Sequence, residues 1–459
     1  MSVPENLAVP PREPAPELPP AAPLPPPAPR GPKAWYAGLS REARWIFWAT
    51  VVGGIWRLIF VAFIHQPWKY DYSDMHNYLQ AARDYADLKK ATDTGDWYYP
   101  SGTGSHIGFW LLIFGPKNGE VAAALVQALM ATACIPLTFI AGKRFFDTRV
   151  AAWGALAWSL HYMPMGFAGL FMSETYLNFG LALALAAFDP TKLKGSFWGG
   201  FALGYATWAK SQALLLAPLW AALMIWRHRR WKEAIAVCVG VTLWVIPISI
   251  VASIKSGVPS MVSSNGGQTF ALGQCPIRSI IFEDPIGHGR VAWAAPDLAQ
   301  RAGRGELEAS WEEAKFDVPF NNSRYYMKVG LGCIRRWPLN AVRTFIFHVA
   351  DTFSGLPWTN VVPWPISHDL FAPFAAWSNW ILSYLIAPFA FYAWWKQRRE
   401  DGVWLAFGLP FASCLFTAIM FHGDPRFREP YDFMFFLAGV QGWFIWRARR
   451  ASKPAPNPA

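Results

Sequence analysis

Two short segments of the sequence carry carboxylates that could act as general bases. Asp71 and Asp74 lie three positions apart near the start of a polar stretch, and Glu174 lies next to Ser173. A carboxylate that removes a proton from a reacting hydroxyl group commonly contributes about 10² to 10⁴ in rate. If a helix begins near Ser73, Asp74 lies in its first turn, where the helix dipole favours an ionised carboxylate. The alternative is that Ser73 or Asp74 serves only as the N-cap of that helix.

Cationic side chains that could bind a phosphate lie near the other end of the chain. Arg426 and Arg428 stand in a short polar connection, together with Asp424 and Glu429. Arginine binds phosphate through two parallel hydrogen bonds, so the two arginines predict an anion site. The alternative is local pairing with Asp424 and Glu429, which contributes little stability at an exposed surface.

Three ionisable residues lie beside or within apolar runs, where burying a charge is costly. Lys210 and Glu174 each lie next to an apolar run, and Arg57 lies within one. Ionisable groups at membrane depth tend to face a cavity or one another, so Lys210 and Glu174 are either site residues or a structural pair. Arg57 could extend its guanidinium toward the membrane surface or hold a carboxylate in place.

The apolar runs themselves predict a membrane protein. Of the 459 residues, 53% are hydrophobic and 15% are charged, a balance unlike that of a soluble domain. Runs of about twenty apolar residues are long enough to cross a hydrocarbon core of about 30 Å. The predicted spanning helices are 43–65, 119–141, 149–168, 172–188, 195–209, 211–227, 232–254, 375–395, 402–421 and 430–447.

Basic residues at the ends of these runs predict the orientation. The formal net charge is +11, and its clusters stand in short connections that share one side of the membrane if the N-terminus is cytoplasmic. They therefore indicate topology and not a nucleic-acid surface. The long segments 66–118 and 255–374 then lie outside. Within the second, Pro338–Phe353 and Phe371–Trp377 are predicted to be interfacial or re-entrant helices.

The remaining segments define the predicted domain limits. Residues 1–34, which are rich in Pro and Ala, and residues 451–459 are predicted to be disordered cytoplasmic tails around a membrane domain at 35–450. The first apolar run is too far from the start and too long for a cleaved signal peptide. Cys275 and Cys333 share the second outer segment, so they form either a disulfide or two free thiols.

In order and spacing, these residues resemble the motifs of GT-C glycosyltransferases, particularly bacterial relatives of protein O-mannosyltransferases and of lipid A aminoarabinose transferases. The matching elements, which span most of the chain after residue 43, are Arg57, Asp74 with Tyr78 to Ala82, Ser173 with Glu174, Lys210, Gly266, Gly267 and Gly273, and Arg426 to Pro430. The family often has an adjacent Asp-Glu pair where Asp74 is followed here by Met75. Asp71 is the nearest substitute for the second acid, and Glu174 is the alternative.

The resemblance implies an all-α polytopic membrane protein, a GT-C-type bundle of about 10–12 transmembrane helices whose extracytoplasmic loops carry interfacial helices. It also implies a sugar donor linked to polyprenyl phosphate, a glycan, lipid or protein acceptor with a free hydroxyl, and inversion at the anomeric carbon. The predicted catalytic residues are Asp74 and Asp71, with Asp74 as the general base. The predicted substrate-binding residues are Arg426, Arg428, Lys210, Glu174, Tyr78, Arg57 and His106.

Neither a metal ligand nor a definite cofactor is predicted. His76 and His106 could join Asp71 or Asp74 around a divalent cation, but they lack the spacing of metal ligands, so a cation is left open. The expected partners are the polyprenyl-phosphate-sugar donor, its acceptor and membrane lipids, without nucleic acid. The expected location is the bacterial cytoplasmic membrane, with the site facing the periplasm or the exterior.

Other classes of protein make different predictions. A transporter or flippase for lipid-linked saccharides needs polar residues across the bilayer midplane and access from both sides, whereas the ionisable groups here concentrate toward the outer face. A nonenzymatic assembly subunit would use the outer loops to bind partners and would not need Asp74. A metal-free acyl or phosphoethanolamine transferase needs a nucleophile with a histidine beside it, and the sequence offers no evident pair.

Overall fold

Helices make up most of the part of the chain that the structure describes. In this computed structural model the described residues are 36–70, 74–87, 99–275, 279–283, 290–294, 314–316, 322–355, 362 and 368–452. The chain divides into a short N-terminal unit, Met1–Ser40, and a large unit, Arg41–Ala459, to which all the elements below belong. The predicted tails lie outside the described residues, except that the last helix extends to Ala451.

The first two helices lie where the sequence predicts a spanning helix and a helix in the first outer segment. Helix α1, Arg41–Ile59, is prolonged by a π-helical turn, Phe60–Ile64, and covers the first predicted span. Helix α2, Asp74–Ala86, follows in the first outer segment. It begins at Asp74, so this carboxylate lies in the first turn, as the sequence predicts.

Helix α3, Ser101–Phe145, is longer than its predicted span 119–141. Gly115 has φ 76°, a left-handed conformation that glycine adopts readily, and Pro116 has no backbone N–H to continue the helical hydrogen bonds. The helix therefore breaks at this point. The part before the break belongs to the segment predicted as an outer loop, and it packs against α2.

The next helices fall on the predicted spans with one difference. They are α4 (Thr148–Ser159), α5 (Tyr162–Ala168), α6 (Ser173–Ala187), α7 (Leu193–Ala209), α8 (Leu216–His228) and α9 (Trp231–Ser256). The predicted span 149–168 is in fact two helices, α4 and α5, because the chain turns at Leu160 and His161. A 3-10 turn, Ser211–Leu215, links α7 to α8, and Lys210 lies at its start.

The described part of the second outer segment includes the helices α10 (Gly266–Gln274), α11 (Ser323–Arg336) and α12 (Pro338–Thr352). A disulfide between Cys275 and Cys333 joins the end of α10 to α11, which decides between the two alternatives left open by the sequence. Such a bond removes conformational freedom from the unfolded chain. It therefore stabilises the packing of α10 on α11.

A small sheet interrupts the otherwise helical architecture. Strand β1, Ser279–Glu283, pairs antiparallel with β2, Arg290–Ala294, and parallel with β3, Ala314–Phe316. The strand order is β2-β1-β3. The sequence predicted only helices, but these strands are short and lie within the second outer segment, so the fold class remains that of a helical membrane protein.

The C-terminal part completes the bundle. Its helices are α13 (His368–Trp380), α14 (Ala387–Lys396), α15 (Leu409–Met420) and α16 (Asp432–Ala451). A π-helical turn, Ile381–Ile386, makes α13 and α14 one continuous helical stretch. Between α15 and α16, the outer connection forms one helical turn, Pro425–Arg428, and a 3-10 turn, Glu429–Tyr431.

Several helices are long and apolar enough to cross a membrane. Within the described ranges, the five helical stretches that meet this condition by length and composition are Arg41–Lys69, Ser101–Phe145, Trp231–Ser256, Asp369–Lys396 and Asp401–Met420. The other predicted spans are also present as helices, and the last of them, α16, has 20 residues. The chain is therefore a multi-pass membrane protein.

Helix α12 has its polar residues inside and its apolar residues outside. His348 and Thr352 are each 1% exposed, whereas Leu339 and Ile346 are 84% and 59% exposed. His348 Nδ1 lies 3.1 Å from the carbonyl oxygen of Ala418 in α15. A helix that exposes leucine and isoleucine while packing on a spanning helix fits a lipid environment, as predicted for 338–353.

Ion pairs join the basic connections to one another at one end of the bundle. Arg144 Nη1 lies 3.9 Å from a carboxylate oxygen of Asp189, and Arg227 Nη1 lies 3.3 Å from one of Asp401. These residues come from separate connections, which the sequence predicts to be cytoplasmic because they are basic. Arg230 Nη1 also donates to the backbone carbonyl of Pro190 at 3.2 Å, so these contacts place the connections on the same face.

Candidate active site

The opposite face brings together acidic and basic residues from the two ends of the chain. Arg426 Nη2 donates to Oδ2 of Asp74 at 2.7 Å, across 352 positions of sequence. Asp74 lies in the first turn of α2, where the helix dipole favours its charge. Arg426 lies in the turn Pro425–Arg428, which is capped by Asp424 because Oδ1 of Asp424 accepts from the backbone N–H of Arg426. Both side chains are partly exposed, 17% for Asp74 and 16% for Arg426.

Glu174 and Lys210 form a second ion pair beside the first. Lys210 Nζ donates to Oε1 of Glu174 at 2.6 Å, and the same oxygen lies 3.8 Å from Nε of Arg426. Glu174 is fully buried in the first turn of α6, whereas the side chain of Lys210 keeps 11% exposure. Two acids and two cations from four separated segments thus form one cluster. Lys210 and Glu174 thus form the structural pair that was one alternative from the sequence. They also lie beside Arg426 and Asp74, as residues of a substrate site would.

Tyr99, which no sequence pattern indicates, contacts the same cluster. Its hydroxyl donates to Oδ1 of Asp74 at 2.9 Å, so each oxygen of this carboxylate has a partner. The ring of Tyr99 lies 5.3 Å from the ring of Tyr78, centroid to centroid. Tyr78, a predicted site residue, is 4% exposed on α2 one turn after Asp74. The two tyrosines therefore form the wall of the site beside Asp74.

Burial and neighbouring charges act in opposite directions on the cluster. Burial alone would raise the pKa of Asp74, but Arg426 and the hydroxyl of Tyr99 together hold the pKa of this carboxyl below its ordinary value. In turn, Asp74, Glu174 and Asp424 overcome the effect of burial and raise the pKa of Arg426. Asp424 differs from Asp74, because burial raises its pKa to about 6. Of these two aspartates, Asp74 is therefore the one whose ionised form the cluster stabilises.

Arg428 does not join this cluster, contrary to its predicted place beside Arg426. It is 1% exposed, and its guanidinium donates to Asp432, Asn379 and Ser383 at 3.0 Å each. The backbone carbonyls of Thr352, the last residue of α12, and of Ser354 accept from it as well. On the other side of Asp432, Nε2 of His161 lies 3.2 Å from Oδ2. Arg428 thus links α16, α13 and α12 inside the protein.

Two other predicted site residues have local partners of their own. Arg57 is 1% exposed, and its guanidinium donates to the backbone carbonyls of Gly53 at 3.2 Å and Ser159 at 3.5 Å. Nε2 of His106 lies 2.7 Å from the hydroxyl of Tyr205, and its ring stacks on Tyr176 at 4.8 Å. Asp71 lies outside the described residues.

The cluster offers no ready metal site. Among the residues that the structure describes, no group of three or more His, Cys, Asp and Glu side chains is arranged to hold a metal ion. The acids of the cluster are instead paired with Arg426 and Lys210. The divalent cation left open by the sequence therefore gains no support from these residues.

Two glycines of the predicted outer-loop motif allow close packing near the site. A Cβ at Gly273 would overlap the backbone of Phe421, and one at Gly267 would overlap the backbone of Ser323. A Cβ added at Gly266, in contrast, would meet no atom within 4 Å. Gly267 and Gly273 therefore let α10 pack directly on α11 and on the end of α15.

The chain is similar to known proteins in its three-dimensional structure. No family model and no curated protein sequence matches the chain. The structure is similar to the archaeal oligosaccharyltransferase AglB from Archaeoglobus fulgidus in complex with an inhibitory peptide and a dolichol-phosphate, with a TM-score of 0.48 and 12% identity over 91% of this chain and 53% of that one. This chain thus spans about half the length of AglB.

A second similar structure is ArnT from Cupriavidus metallidurans bound to undecaprenyl phosphate. The TM-score is 0.38 and the identity 14%, over 91% of this chain and 82% of that one. Both proteins are GT-C glycosyltransferases, the superfamily that the sequence resembles.

Proposed function

We propose that the chain is a GT-C-type membrane glycosyltransferase that moves a sugar from a polyprenyl-phosphate carrier to an acceptor hydroxyl, with inversion at the anomeric carbon. The observation that carries the proposal is the convergence of Asp74 and Arg426 at 2.7 Å, with Lys210 and Glu174 beside them. A base and two phosphate-binding cations are what such a transfer needs within reach of one substrate.

In the proposed reaction, the acceptor hydroxyl attacks the anomeric carbon while its proton passes to a carboxylate oxygen of Asp74. The bond between the anomeric carbon and the phosphate oxygen breaks, and its electron pair stays on the phosphate. Inversion follows because the acceptor approaches from the side opposite the leaving group. The products are a glycosylated acceptor, a protonated Asp74 and a free polyprenyl phosphate.

Arg426 and Lys210 have the chemistry to stabilise the leaving phosphate. Arginine offers a planar set of donors that matches two phosphate oxygens, and lysine adds a point charge. Glu174 holds both cations in place, because its Oε1 lies 2.6 Å from Lys210 Nζ and 3.8 Å from Arg426 Nε. Arg428 is assigned a structural role, since its donors already bind protein groups.

We further propose that the site faces the periplasm or exterior of a bacterial cytoplasmic membrane. The basic connections joined by Arg144 with Asp189 and Arg227 with Asp401 lie at the end opposite the cluster, and such connections are usually cytoplasmic. The disulfide between Cys275 and Cys333 lies in the segment next to the site, and disulfides persist in oxidising compartments. These two features support the same side.

The experiment is a transfer assay with the purified full chain in liposomes. Polyprenyl-phosphate sugars are supplied one at a time with a glycan, lipid or protein acceptor, and product formation is measured together with the anomeric configuration. The proposal expects an inverted product from a polyprenyl-phosphate sugar. Transfer from a nucleotide sugar alone would overturn the donor class. Movement of the intact lipid-linked sugar between leaflets, without transfer, would identify a flippase instead.

A further inference from the structure

Asp74 and Arg426 bind each other in the structure, although the proposed reaction needs Asp74 to accept a proton and Arg426 to bind the donor phosphate. Arg426 Nη2 and Oδ2 of Asp74 are 2.7 Å apart, and Tyr99 holds the other carboxylate oxygen at 2.9 Å. In this arrangement the base is paired with the cation that the phosphate needs. A carboxylate engaged in a short ion pair accepts a proton poorly, because protonation would cost the pair its attraction.

We propose that the ion pair of Asp74 and Arg426 is a latch that the donor phosphate opens. This proposal rests on the proposed function. The guanidinium of Arg426 leaves the carboxylate of Asp74 and binds the donor phosphate, and the hydroxyl of Tyr99 keeps the released carboxylate in position. Asp74 becomes an effective base only once the donor is bound. The donor must then bind before the acceptor hydroxyl is activated.

The surroundings of Arg426 favour such an exchange. Its Nε lies 3.8 Å from Glu174, and Glu174 in turn pairs with Lys210, so an anion bound to Arg426 would also be near a second cation. A phosphate monoanion or diester can replace a carboxylate on arginine with the same two-oxygen geometry. The side chain of Arg426 is partly exposed, so its guanidinium can rotate toward a bound phosphate.

The electrostatics of Asp74 support the direction of the effect. Arg426 is the largest influence that lowers the pKa of this carboxyl, and burial is the influence that raises it. Transfer of Arg426 to a phosphate would leave burial in place and weaken the main opposing charge. The pKa of Asp74 would therefore rise at the moment when a proton must be accepted.

Tyr99 is the positioning residue in this proposal. After Arg426 leaves, the hydrogen bond from the Tyr99 hydroxyl still holds Oδ1 of Asp74. The ring of Tyr99 is itself supported by Tyr78 at 5.3 Å. Loss of the hydroxyl should therefore affect the released carboxylate and leave binding of the phosphate unchanged.

Phosphate binding to the Asp74→Asn variant tests the latch directly. The full chain in nanodiscs is titrated with undecaprenyl phosphate, a carrier without sugar, and with the uncharged polyprenol as a control ligand. Because the amide cannot form the ion pair, the variant should bind the phosphate about tenfold more tightly than wild type. Polyprenol should bind equally to both.

Asp424→Asn is the matched control for charge alone. The charge of Asp424 helps to raise the pKa of Arg426, but Asp424 accepts its hydrogen bond from the backbone N–H of Arg426. Asparagine can keep this hydrogen bond, because it is also a good N-cap. The titration is made at about pH 8, where Asp424 with a pKa of about 6 is ionised. The latch predicts a change below about threefold for this variant. Equal tightening in both variants would show a general effect of charge and overturn the latch.

Tyr99→Phe tests the positioning role. It should lower kcat about tenfold while KM for the donor and the affinity for undecaprenyl phosphate stay within about twofold. The acid limb of the kcat profile should move to higher pH, because the tyrosine hydrogen bond lowers the pKa of Asp74. A purely structural tyrosine would lower the melting temperature and leave the pH profile in place, which would contradict the role.

The outcomes separate the latch from the proposed function. If wild type transfers sugar and binds undecaprenyl phosphate, but Asp74→Asn binds it no more tightly, the latch is wrong and the transferase stands. If neither protein binds the phosphate, the donor class is wrong, and the latch fails with it.

Discussion

Glu174 holds Lys210 at 2.6 Å and lies 3.8 Å from Arg426, so one buried carboxylate connects the two cations of the cluster. Its side chain has no exposed surface, and it lies in the first turn of α6, where backbone N–H groups favour negative charge. Removing one partner from such a pair leaves the other charge buried without compensation. The pair is therefore expected to couple stability with donor binding.

A double-mutant cycle measures this coupling. Lys210→Met and Glu174→Gln should each lower the stability to unfolding by about 3 kcal/mol, and the double variant should lose much less than the sum, because neither charge is then left alone. Thermal unfolding of the four purified proteins gives the values. Strictly additive losses would mean that the two charges do not interact. In the transfer assay, Lys210→Met should also raise KM for the donor about tenfold.

Asp74 is the residue on which the proposed chemistry depends. Asp74→Asn keeps the shape of the side chain but cannot accept a proton, so kcat should fall about 10² to 10⁴-fold. The matched control is Asp84→Asn on the same helix, where Asp84 accepts from Gln80 at 3.0 Å and has no part in the cluster. Initial rates in liposomes, normalised to folded protein, provide the comparison. Full activity in Asp74→Asn would remove the proposed base.

Mutation of Arg428 should mainly lower stability, whereas mutation of Arg426 should mainly lower donor use. Arg428→Ala leaves Asp432 and Asn379 buried without their cation, so its stability should fall by about 3 to 5 kcal/mol. Arg426→Gln affects a partly exposed side chain and should mainly abolish donor use. Melting temperature and donor KM, measured on both variants, test the assignment. If the Arg428→Ala protein were stable but used the donor poorly, Arg428 would be a phosphate-binding residue and its structural role would be wrong.

The difference between these arginines explains one limit of prediction from sequence. Topology predicts that the connection 422–430 reaches the same face as Asp74, and the structure agrees. Residues two apart in a helical turn point in different directions, however, so both arginines cannot face one site when they share the turn Pro425–Arg428. Apolar runs and charge bias locate a connection, but they do not predict the turn inside it.

Tyr99 and the disulfide show a second limit. Tyr99 lies just before Pro100, outside any helix and without a repeating pattern, so its contact with Asp74 depends entirely on the packing of α2 against α3. Cys275 and Cys333 are 58 positions apart, and sequence distance does not fix whether their Cα atoms approach to the 5.1 Å found here. Helix positions followed from local composition, whereas these contacts depend on tertiary structure.

Glu429 provides a prediction about stability and pH. It is 1% exposed, its Oε2 has no hydrogen-bond partner in the described part of the chain, and burial with Asp432 and Glu174 nearby raises its pKa well above the ordinary 4.5. The folded chain therefore holds this proton more tightly than the unfolded chain. The stabilisation is complete below the unfolded pKa and is lost as the pH rises toward the folded pKa, at about 1.4 kcal/mol per unit.

Glu429→Gln should remove this dependence, because glutamine stays neutral and has a similar shape. The variant should match wild type at about pH 4 and be more stable by about 1 kcal/mol or more at about pH 8. Melting temperatures across this range, with the exposed Glu400→Gln as control, measure the difference. Parallel curves for wild type and Glu429→Gln would mean that Glu429 is ionised in the folded protein, stabilised by Lys210 and Arg428, which lower its pKa.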